Sequence, residues 1–276
     1  YNNHYTIYYN ASIESGKIMS DKNKRHRLSL IIATLGPSTD NEKELISMIA
    51  AGIARQWTDG IDIARVVYND GEDIIKKRVE VFRQQCQKRG FNTSVYLDID
   101  DTSTNNCEPY LKFAEEIEPK YLALPMSFGI EKINEARQKI NQDILVGVRC
   151  KHDDDIKDID LFLDKSDFIM VELDSKTIVD EKIVERAKQR KCEPIYLAKM
   201  PTLMSGQVQS REENFEIGHT LEEGFDIVAL YQETAIGPYP ARSVKCIDEI
   251  AVESEKLRVN PFADLMDKIF GIFKKK

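Results

Sequence analysis

The sequence predicts a (β/α)8 TIM barrel, and three observations lead there. Short apolar, β-branched runs alternate with charged segments whose apolar residues recur at helical spacing. The runs lack the polar alternation of a sandwich, as strands buried on both faces of a parallel sheet do. Eight such units fit within about 230 residues, the span of one closed barrel.

The elements follow in order. Strands are expected at 28–34, 61–68, 94–99, 120–125, 144–149, 167–172, 194–199 and 226–231, each a near-continuous apolar run. Helices are expected between them at 41–51, 74–89, 130–140, 179–190 and 210–223. Pro238 and Pro240 suit the approach to, and first turn of, a last helix. An open doubly wound sheet is the rival, but "ATLGPST" after the first run has one glycine where a dinucleotide loop wants three. The barrel spans 27–258, between an N-terminal extension at 1–26 and an amphipathic C-terminal tail at 259–276.

Composition narrows the function classes. A net charge of −8 argues against a nucleic-acid backbone as main partner, because phosphate binding needs a basic field. No apolar run is long enough to span a bilayer. Five scattered cysteines, without CxxC or Cys/His ligand spacing, read as reduced thiols. The chain opens on Tyr1, which points to a processed start or to a sequence beginning inside a longer product.

If the barrel forms, chemistry belongs where strands end and βα loops begin. There the residues resemble a known family. "IIATLGPST" at 31–39, "DIARVVYNDG" at 62–71, "YLDIDD" at 96–101, "KSDFIMVELD" at 165–174 and "EEGFDIVALYQETAIGPYPARSV" at 222–244 resemble pyruvate kinase in order and spacing. The resemblance implies a pyruvate-kinase-like barrel without that family's lid, since Asp98 stands about 22 residues from the fourth strand, and without its C-terminal domain.

The resemblance also implies a degenerate site. It puts Arg149 where the family has an enolate-stabilising lysine and Lys151 where it has a metal-binding glutamate. A guanidinium is not a compact ammonium, and a lysine has no lone pair for a cation. The second metal carboxylate falls at Ser175 or Asp174, the proton-transfer threonine at Ala198, and the third-strand loop at Asp100-Asp101-Thr102-Ser103. Arg65 and Asp98 survive, with a doubtful Asn69, and bulky Tyr231 and Gln232 stand before the Glu-Thr-Ala triplet. Losing metal, lysine and lid together removes nearly all of the electrostatics of phosphoryl transfer.

The expectation is therefore a pseudoenzyme with no cofactor and no catalytic residue, Arg65 and Arg149 remaining as vestiges. Arg149 or Lys151 should pair with Glu172, Asp98 or Asp174, with Tyr231 and Gln232 closing the mouth. "HDDD" at 152–155 reads as a helix start. His219 and His26 read as surface residues without a partner pattern. Two alternatives stay open: a magnesium-dependent lyase or aldolase with relocated carboxylates (Glu172, Asp174, Asp98, Asp100, Asp101), and a small-anion module built on Arg65 and Arg149.

As a scaffold, the chain would be a structural subunit of a larger protein assembly, mitochondrial first, cytoplasmic or cytoskeletal second. Its contact candidates are Tyr1, Tyr5, Tyr8 and Tyr9 in the extension and Phe262, Ile269 and Phe273 in the tail. The tail also carries three terminal lysines, which admits peripheral membrane contact. If the extensions do not dock, residues 53–60 with Trp57 are the next contact candidates.

Overall fold

Eight parallel strands close on themselves in sequential order, β1 to β8, with β1 hydrogen-bonded to both β2 and β8. This computed structural model describes residues 27–51, 60–91, 93–100, 106–151, 159–172, 181–206 and 208–258. Outside them lie both extensions with their contact candidates, Trp57, Asp101, Thr102, Ser103, the 152–155 cluster, Asp174 and Ser175.

The strands are β1 Leu30–Thr34, β2 Ile63–Val67, β3 Ser94–Asp98, β4 Tyr121–Pro125, β5 Leu145–Cys150, β6 Phe168–Glu172, β7 Glu193–Ala198 and β8 Ile227–Leu230. The helices are α1 Glu42–Ile49, α2 Glu72–Arg89, α3 Glu108–Ile117, α4 Ile130–Lys139, α5 Ile159–Leu163, α6 Glu181–Gln189, α7 Pro201–Ser205, α8 Arg211–Glu222, α9 Gln232–Ala235 and α10 Pro240–Arg258. All eight strands lie within two residues of their expected bounds. Two corrections stand out: β5 runs one residue past Arg149, and β7 starts at Glu193, before its proline.

Strand alternation divides the core in two. Outward side chains pack under the helices, while inward ones fill the barrel. The interior is plugged by Tyr96, Tyr121 and Phe168, whose ring centroids lie 5.4–5.9 Å apart. Gly147 makes this possible, because a Cβ there would stand 2.5 Å from the Phe168 ring.

At the amino-terminal rim, Arg27 is buried and gathers four partners. It donates to Asp248 at 2.9 Å, to Asp62 and the Ser29 carbonyl, and to the Gly60 carbonyl at 3.1 Å. Glu255, near the end of α10, accepts from the Leu28 and Ser29 amides and the Ser29 hydroxyl. The first strand is thereby tied to the last helix, which closes the ring of units where the chain has no covalent link.

Candidate functional site

The inward positions at the carboxy-terminal ends of the strands carry charge instead of hydrocarbon. Register sets Thr34 beside Arg65 and Val67 beside Asp98, and on the far side Arg149 beside Met170, two residues before Glu172. The result is a chain of alternating charge across the mouth. Arg65 donates twice to Asp98 Oδ2, through Nε at 2.9 Å and through Nη2, and once to the Thr34 hydroxyl at 2.9 Å. Arg149 reaches the same Asp98 oxygen at 3.4 Å and donates to Glu172 at 2.8 Å. Lys199 stands 3.5 Å from the other Glu172 oxygen.

The expected Arg149 pairing thus forms with Glu172 and Asp98, and Lys199, the last residue of the expected seventh strand, joins it. Tyr231 covers the network. Its ring lies 4.5 Å from the Arg65 guanidinium and 6.0 Å from that of Arg149. Gln232 does not help, because its side chain is exposed. It instead borders a cavity of about 120 Å³ with Thr34, Gly36, Val67, Asp70, Tyr231 and Ile236.

The electrostatics follow from this geometry. Burial alone would lower the Arg149 pKa, but Asp98 and Glu172 outweigh it and hold the guanidinium above its ordinary value. Burial pushes Glu172 up, yet Arg149 and Lys199 leave its carboxyl below the usual range. At Asp100 the balance goes the other way: burial and the neighbouring Asp98 charge outweigh Arg149, the Asn69 backbone and Arg65, and raise its carboxyl. Three buried atoms have no hydrogen-bond partner here: Asp98 Oδ1, Asp100 Oδ1 and Arg149 Nε.

The Glu-Thr-Ala triplet has a structural use that sequence alone did not show. Glu233 accepts the Met200 amide at 2.5 Å and the Tyr231 amide at 3.2 Å, while Thr234 accepts the Thr34 amide at 2.9 Å. It staples the ends of β7, β8 and β1 together, directly under the tyrosine. His219 is exposed as expected, but it meets Glu223 at 3.0 Å and stacks on Phe215.

Among the described residues, no group of three or more His, Cys, Asp or Glu side chains converges in a way that could hold a metal ion. The carboxylates that do meet at the mouth, Asp98 and Glu172, face guanidinium groups. An incoming cation would have to displace those arginines or share their oxygens at close range, and either costs Coulomb energy.

No family model matches the chain. It is 23% identical over 142 residues to a pyruvate kinase from Thermococcus litoralis, an alignment covering 48% of this chain and 30% of that enzyme. The chain therefore spans less than a third of the curated relative it matches, and the similarity is that of a pyruvate-kinase-like barrel.

Proposed function

We propose that this chain is a non-catalytic, pyruvate-kinase-like barrel that serves as an accessory subunit of a larger protein assembly. One observation carries the reading. Arg65 and Arg149 together occupy Asp98, Arg149 and Lys199 occupy Glu172, and Tyr231 lies over both guanidinium groups. Phosphoryl transfer needs free cationic groups and a metal around the moving phosphate. Here the cations are spent on the protein's own carboxylates, and Arg149 and Lys151 stand where the resemblance asks for lysine and glutamate.

The assembly contacts are assigned to the two extensions, with Tyr1, Tyr5, Tyr8, Tyr9, Phe262, Ile269 and Phe273 as the contacting side chains. A mitochondrial assembly is the first form of this proposal, a cytoplasmic or cytoskeletal one the second. The test is a coupled assay of the purified chain with phosphoenolpyruvate, ADP and magnesium. We expect no turnover above the no-enzyme rate, and clear turnover overturns the reading.

A small-anion module is the second reading, favoured by the unbonded Arg149 Nε. Against it, both arginines already face carboxylates. A rise in melting temperature with a phosphorylated metabolite would promote it over the first.

A further inference from the structure

We draw no further inference here: the strongest candidate, the cavity of about 620 Å³ at the amino-terminal rim between α2 and α3, carries nothing, because its two cations, Arg83 and Lys120, are held by main-chain carbonyls and nothing in the structure shows what would fill it.

Discussion

The two ends of this barrel both bury an arginine between two carboxylates, yet they use it differently. At the amino-terminal rim, Arg27 bonds Asp62, Asp248 and two backbone carbonyls, and Asp62 also accepts the Ile31 amide at 2.8 Å. The polar groups there are woven into the main chain of β1. At the carboxy-terminal mouth, Arg149 bonds only side chains, and its Nε, Asp98 Oδ1 and Asp100 Oδ1 are buried without a partner. Fully satisfied buried networks specify a fold, whereas incomplete ones mark places shaped by something else. The rim reads as architecture. The mouth reads as a site whose charges now neutralise one another.

Truncating the two arginines should separate these roles most strongly. Arg27→Met strips a guanidinium from Asp62 and Asp248 and a donor from the Ser29 and Gly60 carbonyls, all at the closure of the barrel. Breaking a buried pair in this way costs about 3–5 kcal/mol. Arg149→Met leaves Asp98 both bonds from Arg65 and leaves Glu172 with Lys199 and some solvent. Its cost should be smaller, about 1–2 kcal/mol. Urea denaturation at pH 7 measures both. Equal losses would mean that the mouth supports the fold as much as the rim does, and the contrast would fail.

How much of this was visible in the sequence differs between the ends in the same way. The eight strands were legible because parallel strands buried on both faces write themselves as apolar runs. The mouth residues were legible as chemistry: Arg65, Asp98, Arg149 and Glu172 interrupt those runs at strand ends. Their connectivity was not legible. That two arginines share one oxygen of Asp98 depends on strand register, which no local pattern encodes. Short α7 and α9 carry no periodicity to read. The rim was invisible, because Arg27 and Asp248 are 221 positions apart and neither belongs to a motif.

The rim has one weak point, and pH should expose it. Glu193 opens β7 there, and burial followed by the Asp226 charge pushes its carboxyl up to about 7. Lys188, which pulls the other way, is bound to Asp226 at 2.8 Å. With a raised folded-state value, the folded protein binds the extra proton between about 4.5 and 7. Stability from this group is therefore complete below that window and declines as pH rises through it. Glu193→Gln should match the parent near pH 4.5 and exceed it at pH 8 by on the order of 2 kcal/mol, after allowance for solvent screening. Glu172 at the mouth runs the opposite way: its lowered carboxyl stabilises above the ordinary range and loses that as pH falls. Denaturation at the two pH values decides, and a difference independent of pH would remove Glu193 as the cause.

The smallest expected effect also lies at the rim, where helices end before the next strand. Three of them finish with the same pair of hydrogen bonds. After α2, Phe91 and Gly90 donate to Cys86 and Gln87; after α8, Phe225 and Gly224 donate to Thr220 and Leu221; after α6, Cys192 and Lys191 donate to Ala187 and Lys188. The residue at the turning point has φ of +71° at Gly90, +111° at Gly224 and +60° at Lys191. Two of the three caps use glycine, which has no Cβ to strain there, and the third uses lysine. A side chain held left-handed costs about 1–2 kcal/mol, and glycine returns part of that gain through the greater entropy of the unfolded chain. Lys191→Gly should therefore stabilise by about 0.5–1 kcal/mol, a shift of a degree or two in melting temperature for a domain of this size. Gly90→Ala should destabilise by a similar amount although nothing stands within 4 Å of a Cβ placed there, because the backbone angle alone is at issue. If Lys191→Gly destabilises instead, the lysine side chain contributes more to the rim than its cap geometry costs.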